Sequence, residues 1–522
     1  MSHFDVIIIG AGLSGIGAAR QLQDACPEKR FAILEGRDAI GGTWDLFRYP
    51  GIRSDSDMYT MGYDSKPWLD AKAIADGASI LAYVKEAALE RGIDRHIHFG
   101  HWVTAADWSS DTSQWTITSR HVHEGSSAQF TCNFLFACSG YYDYAKGYTP
   151  AFEGLGEFAG ELIHPQAWPE DLDYSGKRVV IIGSGATAMT LVPALAKTAA
   201  KVTMLQRSPT YVVSMPAVDP VAKLLNMMLP EKLAYRLIRW KNVQFQRLFY
   251  CRTRVKPAQV KQKLLSLVRK GLGPDFDVDK HFTPNYNPWD QRLCLIPDAD
   301  LFKAIKSGKA SVVTDEVERF TTRGITLKSG EMLEADIVIT ATGLDLIVLG
   351  DVAFTVDGVG VNFPDTFSYK GMMFSEVPNL VYTLGYINAS WTLRSELVAE
   401  FVCRVVNRMD ELNVRQCTPR LRPMDSAMAK RGLIDGFSPG YMQRAMHLFP
   451  RQGDHDPWLN TQNYARDKKI IRHSPLEDGV LEFSTSGTAG GLPQRHTHLG
   501  RDLNGLSEPG ENKAFRRRPR RH

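Results

Sequence analysis

The chain is predicted to be an α/β protein of two interleaved Rossmann-like dinucleotide-binding domains with a helical insertion. Two glycine-rich loops, and the opposite charges that follow them, make that prediction. The first loop, Gly10-Ala11-Gly12-Leu13-Ser14-Gly15, follows the apolar run Phe4-Asp5-Val6-Ile7-Ile8-Ile9. Twenty residues after Gly15, the run Phe31-Ala32-Ile33-Leu34 ends in Glu35. The second loop, Gly183-Ser184-Gly185-Ala186-Thr187-Ala188, follows Arg178-Val179-Val180-Ile181-Ile182. Its next apolar run, Lys201-Val202-Thr203-Met204-Leu205, ends in Gln206-Arg207-Ser208.

Each position has a physical reason. The first glycine permits the tight turn, the second lets backbone approach a pyrophosphate, and the third packs helix on strand. Ala188 in the third place is an allowed variant. The pyrophosphate rests on the helix N-terminus, where unpaired N–H groups and the dipole favour anions. An acid at the next strand end accepts hydrogen bonds from a free ribose 2′-hydroxyl, and an Arg there suits a 2′-phosphate. The first loop is therefore expected to hold FAD and the second NADPH. A solvated strand terminus is the ordinary alternative for Glu35 and Arg207.

At 522 residues the chain has room for two or three domains with sizeable cores. A net charge of +4 is too small to imply a nucleic-acid partner. No apolar run is long enough to span a bilayer. The first strand starts at residue 4, which leaves no room for a signal peptide and points to the cytoplasm. The seven cysteines are scattered and form no C-x-x-C pair. That argues against a disulfide framework, a metal site or a dithiol redox centre.

The organisation follows from these landmarks. Residues 1–142 read as the first part of the FAD domain and 143–176 as a linker. Residues 177–214 open the NADP domain, 215–287 form the helical insertion, and 288–343 complete the NADP domain. Residues 344–487 return to the FAD domain and cover the substrate site. Within them, apolar residues at 397, 398, 401, 402, 405 and 406 mark a helix over Leu393 to Leu412. Residues 488–522 read as a disordered basic tail. Between Lys232 and Lys270 there are twelve Lys or Arg and no acid. This stretch reads as a helical cover with a solvated basic face. A basic amphipathic surface against anionic membranes is the other reading.

Two nucleotide loops fit reductases as well as oxygenases, and two further strings discriminate. The linker contains Phe158-x-Gly160-x-x-x-His164-x-x-x-Trp168-Pro169. The first domain contains Gly41-Gly42-Thr43-Trp44, then Tyr49-Pro50-Gly51, then Asp55. These strings resemble the two signatures of type I Baeyer–Villiger monooxygenases, and the resemblance spans roughly residues 4–480. Trp168 favours that family over the sister flavin-containing monooxygenases.

The resemblance implies a reaction. NADPH reduces FAD, reduced flavin takes dioxygen to a C4a-peroxyflavin, and this intermediate converts a ketone to an ester or lactone. The same intermediate oxidises sulfides or thioamides. The resemblance makes Arg292 the catalytic cation and Asp55 the acid that orients it. A simple pair between Arg292 and Asp290 is the structural alternative. Flavin contacts carry over to Gly10, Gly12, Ser14, Gly15, Glu35, Gly42, Thr43, Trp44, Asp45, Leu46 and Val103. On the NADPH side stand Arg53, Ser54, Asp55, Gly183, Ser184, Gly185, Ala186, Thr187, Ala188, Arg207 and Ser208. Most members place Lys before the catalytic arginine; Gln291 stands here and weakens the expected NADPH preference. His164 and Trp168 read as a packed hinge, and Trp391 as a wall of the substrate pocket. The other functions that fit are a monooxygenase acting mainly on N or S, a pyridine-nucleotide flavin reductase, and a non-catalytic FAD-binding scaffold.

Overall fold

The computed structural model describes residues 1–485. Two sheets organise them, and the strands of each come from segments far apart in the chain. The first sheet sets Phe31–Leu34, Ser2–Ile9 and Ser127–Ala137 side by side in parallel. It continues through the antiparallel strands Gln114–His121 and His101–Ser109. Ala353–Val356 and Leu380–Tyr382, some 200 residues later, pair in parallel with His101–Ser109 and Ser127–Ala137. Val6, Ile7 and Ile8 have no exposed surface, which explains an uninterrupted apolar run in place of alternation.

The second sheet is parallel throughout, in the order Ala310–Thr314, Lys201–Gln206, Arg178–Ile182, Ile337–Thr340, Glu161–Ile163. Its last strand comes from the segment read as a linker. The two crossings between the sheets also pair with each other, Tyr142–Gly147 running antiparallel to Leu344–Leu346. His164 sits against both crossings. Its Nε2 donates to Gly343 O at 3.1 Å, while its Nδ1 accepts the Gln166 N–H at 3.2 Å. A Cβ on Gly147 would lie only 1.9 Å from the His164 ring. Burial lowers the pKa of this imidazole and keeps it in the neutral form that both bonds require.

The insertion forms the helices Pro220–Met228, Glu231–Val255, Pro257–Leu272 and Val278–Phe282. Its longest helix docks on the first sheet's domain through Arg239, which is buried. Arg239 donates to the carbonyls of Tyr59, Thr60 and Gly62 and pairs with Glu396 at 2.6 Å. The late helix runs from Trp391 to Leu412, and the six apolar positions that announced it are all buried. It lies along the helix Leu13–Ala25. Among the described residues, no helix is long and apolar enough to cross a membrane. The tail read as disordered lies outside the described residues.

Candidate functional site

Strand register places the two loops. Ile9 lies opposite Leu34, so Gly10 and Glu35 end adjacent strands, and the Gly10 N–H bonds Leu34 O at 2.8 Å. In the second sheet Ile182 lies opposite Leu205, which sets Gly183 near the strand end that carries Arg207. The helices Leu13–Ala25 and Ala186–Leu195 begin at Gly12 and Gly185, neither of which caps them with a side chain. Their first N–H groups remain available to an anion.

Crowding explains the glycines. A Cβ on Gly15 would lie 1.9 Å from the Gly10 carbonyl oxygen, so helix and loop meet backbone to backbone. Gly183 has φ +136°, and a Cβ there would lie 2.3 Å from Ala341 O. The second helix leaves room for the methyl of Ala188, which is fully buried.

Two clefts open over these loops. The first is lined by Gly10, Gly12, Ser14, Glu35, Gly42, Thr43, Trp44 and Val103. The second, of about 790 Å³, is lined by Arg53, Ser54, Asp55, Gly183, Ser184, Gly185, Ala186, Thr187, Arg207 and Ser208. Thr43, Trp44, Met61, Tyr142, Arg292 and Trp391 line both, so the clefts meet there. Gly15 and Ala188 lie beneath the loops and line neither.

Several side chains are engaged in ways their sequence context did not announce. Both Glu35 oxygens accept backbone N–H groups, from Ala11 at 2.6 Å and Arg37 at 2.9 Å. Burial raises the Glu35 pKa, and those two bonds oppose the rise. Asp45 turns away from the first cleft to pair with Arg37 at 2.5 Å. Leu46 lines neither cleft. The Arg53 guanidinium pairs with Asp300 at 2.5 Å, which joins the signature turn to the second sheet's domain. Ser54 faces inward to Met61 Sδ at 3.3 Å. Ser184 Oγ donates to Ser208 O at 2.9 Å and so braces the second loop on the next strand end.

Arg292 is the cation where the clefts meet. It does not pair with Asp290, whose carboxylate is taken by Arg254 at 2.8 Å. Among the described residues it makes no ion pair within 4.0 Å, and Asp55 stands nearby without direct contact. Burial opposes its charge, but the hydroxyl dipoles of Tyr441, Tyr141 and Tyr142 and the carboxylate of Asp55 favour it, and the guanidinium stands above its ordinary pKa. Burial likewise raises the Asp55 pKa, against the pull of Arg292 and Arg53.

The tyrosines are the residues that sequence reasoning missed. Tyr141 stacks on Trp391, ring centroids 5.4 Å apart and planes within 11°. Trp391 Nε1 donates to Ser14 Oγ at 2.7 Å, which ties the late helix to the first loop. Tyr141 and Tyr142 follow the small-residue turn Ser139-Gly140, a signal that was available. Tyr441 lies in the short helix Gly440–Ala445, with no such signal beside it.

Burial pushes the phenols of Tyr49, Tyr142 and Tyr441 up to about 12. Unfolded phenols ionise near ~10, so between those values only the unfolded state sheds protons. Stability is expected to be unaffected below pH ~10 and to fall as pH rises above it. Phenolate absorbance and far-ultraviolet circular dichroism should then change together. Ionisation of these groups near their ordinary pKa in a chain still folded would contradict this.

The residues fit dinucleotides. Ser139 and Arg37 line the first cleft, and each keeps a buried polar atom, Oγ and Nη1, without a protein partner. Arg53 and Arg444 line the second and each keep a partnerless Nε. A Cβ on Gly185 would meet nothing within 4 Å, so the second loop is open above its middle glycine. Donors without partners over two capless helix N-termini suit phosphate, ribose and amide oxygens.

Comparison with known proteins agrees. The family description "Flavin-binding monooxygenase-like" matches residues 4–413. The chain belongs to that family. Among flavin-binding monooxygenase-like proteins, it is 54% identical over 484 residues to "FAD-containing monooxygenase EthA" of Mycobacterium tuberculosis (strain ATCC 25618 / H37Rv), covering 92% of this chain and 98% of that protein. It is 48% identical over 488 residues to "Putative FAD-containing monooxygenase MymA" of the same strain, covering 93% and 98%. A solved structure described as "Oxidized steroid monooxygenase bound to NADP" superposes with TM-score 0.74 at 21% identity, covering 93% of this chain and 100% of that one. That likeness carries the fold of two dinucleotide-binding domains.

Proposed function

We propose that this flavin monooxygenase uses FAD, NADPH and dioxygen to convert ketones to esters or lactones, and that it also oxidises sulfides or thioamides. The supporting observation is one half-buried guanidinium, Arg292, at the junction of the two clefts, with no ion pair among the described residues. When bound and reduced by NADPH, FAD supplies the activation of dioxygen and the transfer of one oxygen atom. The residues for FAD are the first loop with Glu35, Thr43, Trp44 and Val103. Those for NADPH are the second loop with Arg207, Ser208 and Arg53.

The chain's own contribution is a fixed positive charge in a dry, apolar-walled junction. Guanidinium stays protonated at any working pH, so Arg292 favours an anionic oxygen beside it over a neutral one. Its phenol neighbours stay neutral and leave that charge unquenched, free for an oxyanion developing on the substrate. Trp391 and Tyr141 wall the junction and exclude water. Purified protein reduced by NADPH and given air, a cyclic ketone and a thioether should yield the lactone and the sulfoxide. Sulfoxide with no lactone would leave only heteroatom oxidation. Reduction with no oxygenated product from either would overturn the reading.

Arg207 sets the expected nucleotide preference. It is exposed at its strand end and makes no ion pair among the described residues. Arg207→Ala should lose one charged hydrogen bond, worth about 1.5–3 kcal/mol. The kcat/KM ratio of NADPH over NADH should then fall about ten- to hundredfold. An unchanged ratio would place 2′-phosphate recognition elsewhere.

A further inference from the structure

The outward face of the helical insertion differs from the solvated basic surface that its composition suggests. Leu233, Leu237, Trp240, Leu248 and Val255 are 46%, 40%, 64%, 66% and 75% exposed. At 100° per residue they fall within a sector about 80° wide, so they form one stripe along the helix Glu231–Val255. The adjoining helix Pro220–Met228 adds Leu224, Met227 and Met228, exposed by 55%, 76% and 70%. Lys241 of one helix binds Asp219, the N-cap of the other, and holds the two together.

The charges around this stripe are one-sided. Four cations of the basic stretch are neutralised: Arg239 by Glu396, Lys241 by Asp219, Arg254 by Asp290 and Arg269 by Asp279. Lys232, Arg236, Arg247 and Arg252 are exposed and make no ion pair among the described residues. Arg236 and Arg247 flank one side of the stripe and Arg252 the other. Monomer surfaces seldom expose so many large apolar side chains in one row, and a basic rim around such a row fits a particular partner. Apolar side chains bury in the acyl boundary while the flanking guanidinium groups meet anionic headgroups.

We propose that the helices Pro220–Met228 and Glu231–Val255 form a docking surface for an anionic phospholipid bilayer. The helices lie on the membrane and do not enter its core. An apolar substrate dissolved in the bilayer is then concentrated beside the protein that oxidises it. The surface stands apart from the two clefts and does not depend on their function.

Cys251 provides a local probe. It lies within the stripe and is exposed, whereas the other six cysteines are buried. The chain also carries Arg516-Arg517-Arg518-Pro519-Arg520-Arg521-His522, so total vesicle binding alone does not report this face. The full-length holoenzyme is labelled at Cys251 with an environment-sensitive fluorophore. It is then mixed with vesicles of phosphatidylcholine alone, or with one third phosphatidylglycerol. A blue-shifted emission with the anionic vesicles only, reduced at high salt, is expected. Leu237→Glu/Trp240→Glu should lower the emission shift at Cys251 with anionic vesicles at least tenfold while FAD content is retained. Arg236→Glu/Arg247→Glu should abolish the preference of that shift for anionic lipid. Unshifted emission, or a shift unchanged in both variants, overturns the proposal. So does a concentration-dependent dimer, lost in Leu237→Glu/Trp240→Glu, in protein that ignores vesicles.

Discussion

Arg292→Ala is expected to go on oxidising NADPH while forming oxygenated product about 100- to 1,000-fold more slowly. The scale is that of one lost transition-state donor, about 3–4 kcal/mol. The geometry makes this loss specific. Among the described residues no ion pair binds Arg292 to the scaffold, and its neighbours Tyr141, Tyr142 and Tyr441 are neutral phenols. Removing it therefore breaks no ion pair, and Asp55 keeps the opposite charge of Arg53 nearby. The variant should keep its FAD and its melting temperature, and the missing product should appear as hydrogen peroxide. Near-normal ester formation would refute the role. Loss of FAD together with activity would make Arg292 a structural residue.

Asp467→Ala is expected to cost about 3–5 kcal/mol of stability, since it leaves a buried charge uncompensated. Asp467 Oδ2 receives Arg394 Nη1 at 2.7 Å, and the two side chains are 6% and 2% exposed. Tyr386 donates to the same oxygen at 2.7 Å and Thr461 to Oδ1 at 2.5 Å. The carboxylate thus accepts three bonds and neutralises the guanidinium. In the variant, Arg394 keeps its bond to Lys370 O but loses its only counter-ion among the described residues. Arg394 stands one turn into the helix that presents Trp391 to Ser14, so flavin retention should fall alongside the urea midpoint. Replacing both partners, as Arg394→Met/Asp467→Leu, should recover most of the stability because no charge is then buried. A single variant with a wild-type midpoint would mean that water reaches the pair.

The interleaving explains why the signature histidine lies so far from the chemistry. Two chain crossings join the sheets, and His164 holds one against the other through Gly343 and Gly147. It lies between the two crossings and lines neither cleft. The same logic accounts for Arg53, which the spacing puts near the nicotinamide end and the structure ties to Asp300. Both residues hold together segments that belong to the two sheets' domains.

Much of the architecture was legible because its determinants are local. A glycine at a tight turn, an apolar run before it and a charge at the next strand end lie within about forty residues of one another. The late helix announced itself by its period, and the six positions that carry that period are buried. The tyrosines around Arg292 were not legible in that way. Tyr141 and Tyr142 follow one strand and Tyr441 lies 300 residues later, and no pattern in the chain links them.

The sequence by itself determined the two loops and which residues share a face on the late helix. Both follow from backbone sterics and the spacing of apolar and polar side chains over short spans. Only the tertiary structure decided how those faces were used. It turned Asp45 inward to Arg37, freed Arg292 by giving Asp290 to Arg254, and left Leu237 and Trp240 facing outward. Periodicity says which side chains stand together, but burial and pairing depend on whatever distant segment arrives to cover them.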